Sequence, residues 1–282
     1  MSWLLQMEEN VLKRRQELPD NAFVSAEELR DVWEDGRRGG PDRALPIVAV
    51  SACWDTREHP DPTGRQLKMI VDTLKSERTK YCQRWFLFGG FSEMGVFWDW
   101  PSLLQGNTQR SIAARQAALA EHKTEQEAVA AASDAERTPS EKAAFGYALH
   151  QTMDLWYAHQ GTTVLLVTQH PRERGSQREQ GYEESGWATY ERCSAEQIKT
   201  GNRLVAKWDS VLDLGSSTCS VKAVGRCWPV GPQAFDGLIQ TKSFTNSADR
   251  TAVKELYRKM STAHLGSVRE ISQGCRAQSP PT

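Results

Sequence analysis

Residues 181–196 read G-Y-E-E-S-G-W-A-T-Y-E-R-C-S-A-E and follow a short apolar run at 162–168. Trp187 and Glu191 are four residues apart, which on a helix stacks them on one face. The apolar run reads as a buried strand, so the pair falls near its C-terminal end, where open α/β sheets bind ligands. A partly desolvated carboxylate beside a large ring could there stabilise a developing cation or orient a sugar hydroxyl. The plainer alternative is a core tryptophan beside a surface charge, the usual disposition of these residue types. Asp99 is a second candidate, at the end of Val96-Phe97-Trp98-Asp99-Trp100. Its plainer role is a turn or N-cap acceptor. There is no P-loop, no G-x-G-x-x-G after a strand, no G-x-S-x-G and no H-E-x-x-H, and Gly89-Gly90 is too little for a phosphate cradle.

The elements that must position these residues alternate strand and helix. Residues 46–52 are almost wholly apolar, the mark of a strand buried on both faces. They run through Ser51 into Cys53-Trp54-Asp55 and a proline-rich loop at 59–64. A helix over 66–76 follows, with Leu67, Ile70, Val71 and Leu74 at helical spacing. Residues 85–88 read as a strand or an aromatic loop, and 96–100 as a better strand. The stretch 110–137 has helix propensity but little to bury, which predicts an exposed helix or mobile insert. Thr138, Pro139 and Glu141 then occupy the N-cap, N1 and N3 positions of a helix running to about His159. Phe145, Leu149, Met153 and Trp156 form its apolar stripe. After the 162–168 strand comes a charged, solvated loop at 169–180 and a helix over about 182–199. Residues 204–208, continuing toward Val211, and 220–224 are further strand candidates. Residues 229–246 read as irregular. Ser247 caps a last helix carrying Val253, Leu256, Tyr257 and Met260.

Ahead of this core, residues 1–17 read as a short helix, and Ser25-Ala26-Glu27-Glu28 as a capping box opening another through about Trp33. The expected organisation is therefore an N-terminal helical extension over 1–44 and an α/β domain over 45–214 with a helical insert at 106–137. A C-terminal extension over 215–271 packs on that domain, and a disordered tail covers 272–282. Alternating β and α elements of this kind give a parallel sheet with helices on both faces.

Bulk composition narrows the partners. Lys plus Arg total 35 against 36 Asp plus Glu, a net charge of −1, so nothing points to nucleic acid. No apolar run approaches the roughly 18 residues that span a bilayer. The six cysteines form no C-x-x-C and no Cys/His zinc spacing, so no metal is expected; reduced thiols and a cytoplasmic protein are. Ten tryptophans outnumber the eight phenylalanines, which favours aromatic walls or a tryptophan-heavy core.

The order of segments over about 46–200 resembles Toll/interleukin-1 receptor (TIR) domains and the related heterokaryon-incompatibility domains. The first strand with Ser51 and Cys53-Trp54-Asp55 is similar to the TIR opening strand and its serine. Val96 to Trp100 is similar to the second strand ending in an aspartate. Phe97-Trp98-Asp99 through Gln105 is similar to the heterokaryon-type W-x-D-x-x-x-x-x-Q run, with Phe97 in place of its Trp. Glu141, Met153 and Tyr157 match the acidic residue, Met and Tyr that follow it. Tyr182, Ser185, Gly186, Trp187 and Glu191 resemble the TIR run Y-x-x-S-x-W-C-x-x-E, with Ala188 where Cys is common. The loop after Trp100 departs from the basic-acidic-Pro-Gly signature, and the insert is long.

The resemblance implies a three-layer flavodoxin-like (TIR-like) sheet and a signalling or defence role. It implies cleavage of the nicotinamide–ribose bond of NAD, with NAD as substrate and no cofactor. Glu191 takes the catalytic position; Ser51, Asp55, Asp99 and Trp187 line the pocket, and Trp54 or Trp98 stacks on a substrate ring. It equally allows a non-enzymatic module that self-associates as a homo-oligomer. An enzyme acting on another nucleoside N-glycoside is a third reading.

Overall fold

The computed structural model describes residues 2–5, 11–37, 45, 47–56, 58–83, 94–159, 162–175, 178–198, 211–215, 222–223 and 230–276. Its centre is a five-stranded sheet in the order β2-β1-β3-β4-β5, with β1 Ile47–Ala52, β2 Gly95–Phe97, β3 Thr162–Val167, β4 Val211–Asp213 and β5 Lys222–Ala223. β2, β1, β3 and β4 are mutually parallel, and β5 pairs antiparallel with β4. The chain therefore belongs to the general α/β class. Four strands form the expected parallel sheet, and β5 adds a two-residue antiparallel edge. The expected strands at 85–88 and 204–208 lie outside the described residues.

Alternation along β1 and β3 sorts side chains between two layers. Val48, Val50, Leu165 and Val167 face one cluster with Leu67, Ile70 and Leu74 of α3, Arg65–Gln83. Ala49, Val164 and Leu166 face the other, with Met153, Tyr157, Ala188 and Ala195. Ser51 is in phase with Ala49 and so points to this second face.

Helices occupy both faces of the sheet. α1 (Ser2–Leu5) is much shorter than the expected 1–17 helix; two 3-10 turns at Arg15–Glu17 and Asp20–Ala22 follow it. α2 spans Ala26–Arg37, and its capping box is present: Ser25 N–H donates to Glu28 Oε2 at 2.6 Å and Glu28 N–H to Ser25 Oγ at 3.0 Å. A helical turn, α4 (Asp99–Ser102), begins where the expected strand continued. The insert is a helical pair, α5 (Thr108–Ala120) and α6 (Glu125–Ala135).

The helix expected to reach His159 is broken into α7 (Pro139–Gln151) and α8 (Met153–Ala158). At the break, Thr152 Oγ1 donates to the Ala148 carbonyl at 2.7 Å, the back-bonding that bends helices. α9 is Gly186–Ile198. The segment read as irregular contains α10, Pro232–Gln240, with Gly231 as N-cap and Pro232 at N1. The last helix, α11, runs Asp249–Arg276, so 272–276 is helical where a disordered tail was expected.

Behind α9 lies a further cluster: Tyr190, Cys193, Phe235, Ile239, Val253, Leu256, Tyr257 and Met260. α9 is thus sandwiched between the sheet and the α10–α11 layer.

Candidate functional site

α9 is buried on two sides, and its sequence shows how. Ala188, Glu191 and Ala195 fall at i, i+3 and i+7, one stripe of a helix. The two alanines belong to the sheet-facing cluster. Their small side chains bring the helix close to the sheet and put Glu191 against the end of β1. Tyr190 and Cys193 form the opposite stripe, packed on the α10–α11 layer, with Trp187 at its margin. At the start of the helix, a Cβ on Gly186 would fall 2.1 Å from the Phe244 ring, so any larger residue would force that ring to move.

Glu191 is 6% exposed, within a network of hydroxyls. Ser51 Oγ lies 2.6 Å from its Oε2 and 2.5 Å from the Tyr182 hydroxyl, both within hydrogen-bond reach. Tyr182 donates to the Ala188 carbonyl at 3.2 Å. The Tyr157 hydroxyl donates to the Val50 carbonyl at 3.1 Å and also acts on the Glu191 carboxyl. Burial raises that carboxyl well above the ordinary glutamate value, and the negative charge of Asp99 adds to the rise; hydrogen bonds from Ser51 and Tyr157 oppose it. The phenols of Tyr157 and Tyr182 are pushed up by burial first and by Glu191 second, so both stay protonated.

Asp99 begins the α4 turn. Its Oδ2 accepts the Trp54 indole N–H at 2.8 Å and its Oδ1 accepts the Trp100 N–H at 2.7 Å. Crowding by these rings desolvates the carboxyl and raises it to about 6. Gln105 fixes the turn, donating to the Asp99 carbonyl at 2.9 Å. Trp54 is half-buried and meets Trp100 edge-on, with centroids 5.3 Å apart.

The expected site residues therefore divide. Ser51 touches Glu191 directly. Asp99 reaches it through its charge, and Trp54 is tied to Asp99. Asp55 is held elsewhere: buried in the loop after β1, it accepts from Gln66 Nε2 at 3.2 Å. Gln66 Nε2 also reaches the Cys53 and Pro60 carbonyls at 3.0 and 2.8 Å, so the loop is gathered on that one side chain. Trp98 is 1% exposed and packs into the α3-side cluster. Trp187 turns away from Glu191, its indole donating to Asp249 Oδ2 on α11 at 2.9 Å. The expectation of an indole beside the carboxylate is thus corrected: the two residues are one turn apart on the helix, but the indole is drawn toward α11 while the carboxyl meets the sheet. Glu141 closes the α7 capping box and pairs with Arg110 at 2.8 Å.

Tyr182 and Tyr157, the network's remaining members, were visible in the sequence only as motif matches. Gln66 carried no signal beyond its place at a helix start. The stretch before α9 is tied to the loop after β1 at two points: Arg178 donates to the Trp54 carbonyl, and Cys53 Sγ lies 3.7 Å from the Gly181 carbonyl.

A separate cavity of about 370 Å³ lies against the strand starts at Ile47 and Gly95, with Leu12, Phe23 and Trp98 among its apolar walls. Among the described residues no group of three His, Cys, Asp or Glu side chains could hold a metal ion, and no helix is long and apolar enough to cross a membrane. No family model, curated protein or solved structure matches the chain.

Proposed function

We propose that the chain is a TIR-like domain that cleaves the nicotinamide–ribose bond of NAD at Glu191. The observation that carries this reading is the buried Glu191 carboxyl, hydrogen-bonded by Ser51 at the C-terminal end of β1. Burying a carboxyl with no cation paired to it among the described residues is costly, and such groups concentrate at sites that use them. The order β2-β1-β3 puts Ser51 next to the point where the chain reverses its direction across the sheet, the favoured ligand position of doubly wound folds. The parallel order β2-β1-β3-β4 also supports the three-layer flavodoxin-like arrangement.

In the proposed reaction the bond from ribose C1′ to the nicotinamide nitrogen breaks, and its electron pair leaves with neutral nicotinamide. No general acid is required. Ionised Glu191 stabilises the oxocarbenium-like ribose, and water then adds at C1′ and loses a proton. The cationic nicotinamide ring draws Glu191 into its charged form on binding. Substrate reaches the carboxyl when residues 178–182 move off Trp54 and Cys53, and Trp54 offers a ring to stack on.

Nicotinamide release from NAD by the full chain at high concentration tests this reading. Release that disappears in Glu191→Ala is expected; equal release by the variant would overturn it.

A self-assembling module is the second reading, favoured by Ile112, Leu119 and Val129, all exposed on the α5–α6 pair. Sedimentation that changes in Ile112→Asp would support it, and an unchanged monomer would remove it.

A further inference from the structure

The protons around Glu191 can be counted. Ser51, Tyr157 and Tyr182 carry one hydroxyl hydrogen each, so each donates once. Tyr182 lies 3.2 Å from the Ala188 carbonyl and Tyr157 lies 3.1 Å from the Val50 carbonyl. Carbonyls only accept, so in both contacts the phenol is the donor. Tyr182 has then spent its hydrogen, and its 2.5 Å contact with Ser51 Oγ needs the hydrogen of Ser51. The 2.6 Å contact between Ser51 Oγ and Glu191 Oε2 must then be supplied by Glu191. A protonated Glu191 satisfies all four contacts in one direction: Glu191 to Ser51, Ser51 to Tyr182, Tyr182 to the Ala188 carbonyl, with Tyr157 on the Val50 carbonyl. An ionised Glu191 can only accept. Ser51 must turn to it, Tyr182 must turn to Ser51, and Tyr157 is drawn from the Val50 carbonyl to the carboxylate.

We infer that Glu191, Ser51, Tyr182 and Tyr157 form a proton-ordered switch, in which ionisation of Glu191 reverses all three hydroxyls. The proton of Glu191 leaves to solvent or to a bound base, and no bond between heavy atoms changes. The chain ends on a backbone carbonyl, so it orders protons without conducting them outward. Ser51 and Tyr157 are positioning residues that favour the ionised form. Tyr182 serves both orders. The groups that interact with the carboxyl are Ser51 of β1, Tyr157 of α8, Tyr182 of the loop before α9 and, through charge alone, Asp99 of α4 and Tyr190 of α9. The switch concerns the carboxyl of the proposed reaction but needs no substrate, so it and the NAD reading fail separately.

Infrared difference spectra of the full chain across pH test it, with the carbonyl band of protonated Glu191 assigned by its loss in Glu191→Gln. In the parent the band should persist at neutral pH. Ser51→Ala and Tyr157→Phe each remove a donor used by the ionised form, so each should move the midpoint upward by about one pH unit. Tyr182→Phe should move it least. Equal movement in all three variants would mean general loosening and would overturn the switch. So would unmoved midpoints in Ser51→Ala and Tyr157→Phe, or no protonated band in the parent at neutral pH. Should Ser51→Ala fail to fold, the two Tyr→Phe variants, which keep their rings, decide between these outcomes.

Discussion

Glu191 on α9 and Glu141 on α7 are both helical glutamates, both placed in motif positions by the TIR and heterokaryon resemblance, yet the protein treats them oppositely. Glu141 sits in a solvated first turn. The Thr138 backbone N–H and Arg110 hold its charge, taking its carboxyl down to about 2. Glu191 sits in the middle of a helix closed in by the sheet on one side and α10–α11 on the other, and burial drives its carboxyl up. The side chain is the same; the layers packed on the helix set the sign. Glu141 is the kind of carboxylate that holds a fold together, and Glu191 the kind that a site holds in reserve.

The largest expected effect breaks the layer that encloses Glu191. Phe235 is fully buried and stacks on Tyr257 with centroids 3.8 Å apart. Phe235→Ala should destabilise by about 3–5 kcal/mol in denaturant titration, the range for emptying an aromatic core site. It should also move the Glu191 titration toward the ordinary value as water gains access.

Glu191→Gln sharpens the comparison through pH. A carboxyl raised on folding favours the protonated fold, so the parent loses stability as pH rises above the unfolded value near 4.5 and through the folded value. The glutamine variant lacks that loss. Its thermal midpoint should exceed the parent's at pH 8, with the gap narrowing toward pH 4.5. A parent that is the more stable protein at pH 8 would contradict the burial account.

Thr138→Ala is the counterpart on α7. It removes one half of the capping box and should cost about 1 kcal/mol. The stability contributed by Glu141 has the opposite pH dependence. It is present above about 4.5 and is lost as pH falls through about 2. The smallest effect is expected at Lys142, whose pair with Asp134 is exposed on both sides. Lys142→Ala should stay within about 0.5 kcal/mol of the parent.

The same contrast explains what the sequence disclosed. β1 and β3 were readable because strands buried on both faces are continuously apolar, and the Ser25 and Thr138 capping boxes because their chemistry is local. α10 was hidden because Gly231-Pro232 reads as a turn although it is an N-cap and N1 pair. The break at Thr152 depends on one hydroxyl choosing a carbonyl. β5 is two residues long and exists only through its pairing with β4. The environment of Glu191 was legible in part: Ala188 and Ala195 flank it at the spacing of a close-packed stripe. That the opposite stripe is covered as well depends on α10 and α11, far along the chain, and no local pattern announces it. The turn of the Trp187 indole away from Glu191, toward Asp249, follows from that second layer.

The most direct test of the central claim is the pH profile of nicotinamide release from NAD by the parent and by Glu191→Gln. The account predicts that release by the parent falls as pH drops through a value well above 4.5, because only ionised Glu191 supports the ribose cation. It also predicts that the glutamine variant releases none at any pH. Release by Glu191→Gln at the parent's rate would contradict it.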